Sequence, residues 1–149
     1  MTIDRERLLR LLTDHAPAGS GLRLPPPCLV EMQGEPVEYV EGELLVMRFP
    51  VLERWQNPLG FMQGGFIAAA LDNTLGPFSY LVAPPSVTTQ FNLSFLRPIP
   101  PQMPWFTCSA RLVDRSAQTL HLAGEALDPD GKRLALAHAA CRLLPARPA

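Results

Sequence analysis

The chain has 149 residues, a length typical of a single domain that can bury a sizeable core without disulfides or bound metal. Hydrophobic residues make up 47% of it and charged residues 18%, an ordinary globular composition that is slightly poor in charge. The net charge is −1 and no basic run is present, so nucleic acid is not expected as a partner.

The three cysteines, Cys28, Cys108 and Cys141, are widely spaced and match no zinc or redox motif. They fit free thiols in a reducing compartment, so we expect a cytoplasmic protein that needs no metal and no cofactor. The charged N-terminal segment has no apolar core of the kind that secretory signals carry. The longest apolar run, 64–83, is interrupted by polar residues and a proline, so no membrane contact is expected.

The N-terminal region is predicted to be a helix followed by an irregular linker. Residues 2–14 place four apolar residues on one side of a helix: Ile3, Leu8, Leu11 and Leu12. Residues 16–27 are rich in glycine and proline, and Pro25–Pro27 should form a stiff stretch that holds this helix at a distance. We therefore predict one domain overall, with a helix and linker over 1–27 and the main unit over 28–149.

The middle of the chain is predicted to hold two short strands and a long helix. Residues 28–32 could form an edge strand, and 43–49 alternate as a strand does. A helix should then start at Gly64 or Gly65 and run to about Leu81. Its apolar residues point in nearly every direction, so we expect it to be enclosed by the rest of the protein.

Four long strands are predicted after the helix: 86–96, 104–113, 117–127 and 133–144. In the first of them, five residues alternate onto one predicted face: Val87, Thr89, Phe91, Leu93 and Phe95. Consecutive strands joined by short turns favour antiparallel pairing. The order of elements predicts an α+β fold in which an antiparallel sheet wraps around one long central helix.

The segment from Asn57 to Pro98 carries the most specific motif. Asn57 is followed by Gly60, by Gln63-Gly64-Gly65, by Asp72 after six intervening residues, and by an alternating strand that ends in Leu-Arg-Pro. This combination resembles the hotdog-fold acyl-CoA thioesterases of the phenylacetic-acid (PaaI-like) type, and the order of elements fits from residue 43 to 144. The resemblance implies a hotdog fold and hydrolysis of an acyl-CoA thioester to free acid and coenzyme A.

Chemistry at the start of the long helix is expected from its backbone. The first amides of a helix have no partner within it and carry partial positive charge, and Gly64 and Gly65 allow close approach to them. The resemblance implies that the Gly65 amide stabilises the developing oxyanion and that Asp72 acts as general base or nucleophile. The alternatives are a glycine pair that only permits a tight turn and an aspartate that only bonds the backbone.

Four further residues are candidates for supporting roles. Asn57 could hold the carbonyl or orient water, or simply form a turn, and Thr88 aligns with a hydroxyl residue that assists the attack in some relatives. Gln63 stands where many relatives have histidine and cannot carry a charge near neutral pH. With Gly64 it is expected to contact the substrate, and Arg97 could meet a coenzyme A phosphate.

Two copies of the chain are expected to share each site. Gly65 and Asp72 are seven positions apart, or about 10 Å along one helix, which is far for one carbonyl to touch both. Antiparallel packing of two such helices would bring the two groups together, so we expect a homodimer or a dimer of dimers. The alternative function is a non-catalytic acyl-CoA-binding hotdog module; a dehydratase is disfavoured because no histidine lies near the helix start.

Overall fold

A computed structural model describes residues 1–145 of the chain; the predicted end of the main unit, 146–149, lies outside the described residues. Its elements in chain order are α1 (Arg5–His15), α2 (Pro27–Glu31), β1 (Glu35–Val40), β2 (Leu44–Pro50), a 3-10 turn (Glu53–Trp55), α3 (Gly64–Val82), β3 (Ser86–Phe95), β4 (Trp105–Arg115), β5 (Thr119–Leu127) and β6 (Arg133–Leu143). Within residues 1–145, no helix is long and apolar enough to span a membrane.

The six strands form one antiparallel sheet in the order β1-β2-β4-β5-β6-β3. α3 lies across one face and contacts the central strands β4 and β5 as well as β2 and β3. The strands β1 and β3 are the two edges. The predicted α+β architecture, an antiparallel sheet wrapped around one long helix, is therefore confirmed.

The prediction that α3 is enclosed on all sides is wrong for the single chain. Nine residues of the helix are buried: Ile67, Ala70, Leu71, Thr74, Leu75, Pro77, Phe78, Ser79 and Leu81. On the opposite side Gly65 and Asp72 are exposed, and Ala68, Ala69 and Gly76 are only partly covered. The helix is apolar all round partly because this open side carries small residues, whose presence does not by itself require burial.

The prediction that the first helix stands away from the rest is also wrong. Ile3, Leu8 and Leu12 are each at most 3% exposed and belong to the main hydrophobic core. α1 packs on α3 and β1, and the backbone amide of Ile3 donates to the carbonyl of Val37 over 3.2 Å. An amphipathic helix gains most of its stability by covering its apolar stripe, and here that gain places the N-terminal region inside the domain.

The predicted edge strand over 28–32 is a short helix instead, α2. Pro27 is its first residue, a position where the missing N–H is not needed and the fixed φ of proline suits a helix. Leu29 within the helix and Met32 at its C-cap are buried. A segment of five residues carries too little periodicity to separate a strand from one helical turn, and the preceding prolines were the stronger signal.

β3 contains a bulge that changes which side chains face the helix. Thr88 pairs with Cys141 and Gln90 with Ala140, so Thr89 is an extra residue in the strand. The predicted face is therefore correct for Phe91, Leu93 and Phe95 but wrong for Val87 and Thr89. Thr88 takes the helix-facing position and meets Asp72.

Replacing Leu8 by alanine tests whether α1 is part of the cooperative core. Leu8 is 1% exposed, so Leu8→Ala should lower the free energy of unfolding by about 2–5 kcal/mol. Leu9→Ala, a partly exposed neighbour in the same helix, should cost less than about 1 kcal/mol. Denaturant unfolding measures both, and an unchanged midpoint for Leu8→Ala would show that α1 is not part of the folded unit.

Candidate active site

The loop before α3 is built around Asn57. Its side-chain oxygen accepts hydrogen bonds from the backbone amides of Leu59 (2.9 Å) and Phe61 (3.2 Å). The backbone amide of Asn57 donates to the carbonyl of Phe61 over 2.7 Å. An asparagine commonly closes a turn in this way. Asn57 therefore shapes the loop that leads into the helix, and its oxygen is already in use.

Backbone contacts fix where the helix begins. The amide of Gln63 donates to the carbonyl of Trp55 over 2.8 Å, and that of Met62 donates to Ile99 over 3.0 Å. Trp55 is buried and stacks on Phe66, with ring centroids 5.5 Å apart. These contacts hold the first turn of α3 in a defined position against the loop.

The two glycine amides at the helix start differ in their partners. Gln63 is the N-cap residue, and its side-chain oxygen accepts a hydrogen bond from the Gly65 amide over 3.0 Å. The Gly64 amide donates no hydrogen bond within residues 1–145. A helix start normally leaves several amides for capping groups or ligands, and here one is capped and its neighbour is free.

A cavity of about 360 Å³ opens beside Gly64. It is lined by Asn57, Phe61, Met62, Gly64, Ile67, Phe95, Leu96, Arg97 and Pro98. A side chain at position 64 would require the ring of Phe95 to move, because its Cβ would lie 2.9 Å from that ring. The cavity is thus mostly apolar, with polar groups at the loop and at the end of β3, as small-molecule sites usually are.

Arg97 lies at the rim of this cavity. Its side chain is exposed and donates to the carbonyl of Arg133 over 2.6 Å. The bond holds the guanidinium near the opening while leaving further donors free. The cavity therefore brings together three predicted site residues: Asn57, Gly64 and Arg97.

Asp72 and Thr88 form a second group, two turns further along the helix. The Thr88 hydroxyl donates to the Asp72 carboxylate over a long 3.5 Å contact and lies 3.9 Å from the sulfur of Cys141. Surrounding protein raises the pKa of Asp72 by desolvation, and the Thr88 hydrogen bond opposes that rise. Asp72 still reaches solvent in the single chain, so this carboxylate is both perturbed and accessible.

The predicted site is thus divided into two groups within one chain. Gly64 and Asp72 are eight positions apart on α3, or about 12 Å along its axis. Gly64 lies beside Phe95 at one end of β3, and Asp72 lies beside Thr88 at the other. Sequence reasoning missed Cys141, which it interpreted only as a small buried residue; its contact with Thr88 depends on the bulge in β3.

No family model and no curated protein matches the sequence. Among solved structures, a candidate thioesterase from Ralstonia eutropha, related to phenylacetic acid degradation, has a TM-score of 0.75 at 26% identity and covers 91% of this chain and 98% of its own. The PaaI protein from the E. coli phenylacetic acid degradation operon has a TM-score of 0.72 at 17% identity, covering 77% and 86%.

A hypothetical thioesterase from Streptococcus pneumoniae, solved with coenzyme A, has a TM-score of 0.70 at 17% identity and covers 77% of this chain and 88% of its own. These neighbours define the class of structure: the chain has the hotdog fold. Among them are PaaI-like thioesterases, so the structural resemblance predicted from the sequence is confirmed.

Titration of Asp72 tests the environment of the carboxylate. Side-chain carbon NMR should give a pKa above the usual value of about 3.9, and Thr88→Val should raise it further by removing the opposing hydrogen bond. The pKa of Asp72 is higher in the folded protein than in the unfolded chain, so the neutral carboxyl group stabilises the fold. This stabilisation is fully present below the unfolded pKa and is lost as pH rises through the folded pKa. Asp72→Asn should therefore stabilise the protein at neutral pH; a carboxyl that titrates at or below 3.9 would contradict this environment.

Proposed function

We propose that the protein is a thioesterase that hydrolyses acyl-CoA to free acid and coenzyme A. The observation that carries the proposal is the mostly apolar cavity lined by Gly64, the first residue of α3. A thioester bound there would have its acyl group among apolar side chains and its carbonyl oxygen near a partial positive charge. The hotdog thioesterases among the structural neighbours support the same reaction class.

The carbonyl is polarised by the backbone of the first turn. The carbonyl oxygen gains negative charge as the tetrahedral intermediate forms. One preorganised N–H donor lowers the activation barrier by on the order of 3 kcal/mol. Within residues 1–145 the Gly64 amide donates no hydrogen bond, and Gly64 is one of the residues that line the cavity. The family resemblance implies the Gly65 amide as the oxyanion donor. That amide becomes available only if the Gln63 side chain moves away from it.

Asp72 supplies the attacking group or activates it. As a general base it takes a proton from water as the oxygen attacks the carbonyl carbon; as a nucleophile its own oxygen attacks, and water then cleaves the resulting anhydride. Its pKa, raised by desolvation, makes it a stronger base than an ordinary aspartate. Thr88 donates to the carboxylate and orients it, and the thiolate of coenzyme A is a good leaving group that needs little assistance.

The rest of the substrate is held at the cavity and its rim. The acyl group lies against Phe61 and Phe95, Gly64 contacts the substrate at the helix start, and the exposed guanidinium of Arg97 is placed to meet a phosphate. Asn57 keeps the loop in shape and its side-chain NH₂ group remains for a polar contact. Coenzyme A in the Streptococcus pneumoniae neighbour supports this class of ligand.

A second copy of the chain is the partner that completes the site. β3 is a ten-residue edge strand without a charged side chain, and an edge of this kind pairs readily with another strand unless it is covered. The open side of α3 next to it carries Gly65, Ala68 and Gly76, small residues that allow a second helix to approach closely. Both surfaces belong to one side of the molecule, so one partner can cover them together.

One twofold axis satisfies both pairings. In a single chain Gly64 lies beside Phe95 and Asp72 beside Thr88, so α3 and β3 run past each other in opposite directions. An axis near the middle of both segments brings the partner's Asp72 to the Gly64 end of the first chain. Each cavity then receives a carboxylate from the other subunit, and the dimer has two equivalent sites.

The alternative is a non-catalytic acyl-CoA-binding module. Its motive is Gln63, a neutral residue where many relatives carry histidine. A binding module would saturate with acyl-CoA without releasing thiol, whereas a thioesterase releases one thiol for each molecule turned over. Thiol release measured with short, medium, long and aromatic acyl-CoAs separates the two functions and identifies the acyl class.

Asp72→Asn tests the catalytic role directly. Turnover of the best substrate should fall by about 100-fold or more, because an amide cannot act as base or nucleophile, while substrate affinity changes little. Asp114→Asn, an exposed carboxylate on β4, is the matched control and should keep turnover. Near-native thiol release by Asp72→Asn would remove Asp72 from the mechanism.

A further inference from the structure

The side chain of Gln63 makes an unusual cap. Short side chains such as serine, threonine and aspartate are the common N-cap residues, because they reach the second or third amide of the helix without a long flexible arm. Here a glutamine folds back over Gly65, and its oxygen lies 3.0 Å from that amide. A Cβ added at residue 65 would lie 2.8 Å from the same oxygen, so the Gln63 side chain would have to shift to admit one.

The bond determines which end of the carboxamide faces the helix. Only the oxygen can accept from an N–H, so the oxygen is directed at Gly65 and the NH₂ group points away. Backbone bonds on both sides of the side chain fix its base: the Gln63 amide donates to Trp55, and the Gln63 carbonyl accepts from Phe66 over 2.9 Å. The cap is therefore anchored although the side chain itself is exposed.

We propose that Gln63 is a positioning residue: by occupying the Gly65 amide it leaves the neighbouring Gly64 amide as the donor that meets the thioester carbonyl. The inference rests on the proposed thioesterase function and specifies how its helix start is used. With the second amide satisfied, the first turn has one fewer orphan N–H that could draw the substrate into a second, unproductive pose. The rate of reaction in a near-attack complex is sensitive to small changes in where the carbonyl is held.

The first arm of the test compares three variants of the whole protein. Gln63→Ala removes the cap, Gln63→Ser restores a cap of the usual short kind, and Gln118→Ala is the control at an exposed glutamine in the β4–β5 turn. Gln63→Ala should lower kcat about five- to tenfold with KM within about twofold, and Gln63→Ser should return kcat to within about twofold of wild type. The control should match wild type.

The second arm does not depend on activity. Hydrogen exchange followed by NMR should show the Gly65 amide exchanging about tenfold faster in Gln63→Ala, with protection regained in Gln63→Ser. If wild type releases no thiol, the proposed function fails while this arm still tests the cap.

Three results would overturn the inference. An increase in kcat/KM for Gln63→Ala would show that the side chain competes with the substrate for Gly65. A Gln63→Ser variant that is protected at Gly65 but as slow as Gln63→Ala would show that the NH₂ group of glutamine acts on the substrate. A Gln63→Ala variant with native kcat and native Gly65 exchange would show that the cap has no role.

Discussion

The six-stranded sheet covers one side of α3 and leaves the other side in contact with solvent, and the arrangement of the candidate site depends on this. A sheet of this width contacts the helix through residues such as Leu71, Leu75 and Phe78, which are almost completely buried. The remaining side carries Gly65 and Asp72. The carboxylate proposed for catalysis therefore lies on the side of α3 that the sheet leaves open.

The distance between the two halves of the site follows from helix geometry. No bend in a continuous helix brings Gly64 and Asp72 to one carbonyl, because eight residues span about 12 Å. Each half is well supported on its own: the first by the loop around Asn57 and the cap from Gln63, the second by Thr88 and the bulge in β3. In the proposed mechanism a twofold axis brings the two halves together, so catalysis requires the dimer.

The sequence was sufficient for the parts of the structure that depend on strong local patterns. The α3 boundaries, the alternation of Phe91, Leu93 and Phe95, and the turn between β5 and β6 all follow from periodicity and turn residues. The motif around the glycine pair was enough to predict that this chain has the hotdog fold, which its structural neighbours share. These features are short-range, and nothing elsewhere in the chain competes with them.

The parts that could not be predicted depend on contacts between distant segments. The docking of α1 depends on the surface that α3 and β1 offer to Leu8, which no local pattern reveals. The bulge at Thr89 lies in a run of three polar residues, 88–90, where alternation cannot show which side chain faces the helix, yet it determines that Thr88 meets Asp72. The cap from Gln63 to Gly65 likewise depends on one rotamer of one exposed side chain.

Subunit complementation tests the shared site most directly. Asp72→Asn removes the carboxylate, and Gly64→Val blocks the cavity end of α3, because even a Cβ there meets the ring of Phe95. Each homodimer should be inactive. A heterodimer of the two variants, isolated with two different affinity tags, should show roughly half the wild-type turnover per dimer, since one of its two sites receives both intact groups. If the site lay within one chain, every site would carry a defect, and a heterodimer as inactive as its parents would contradict the account.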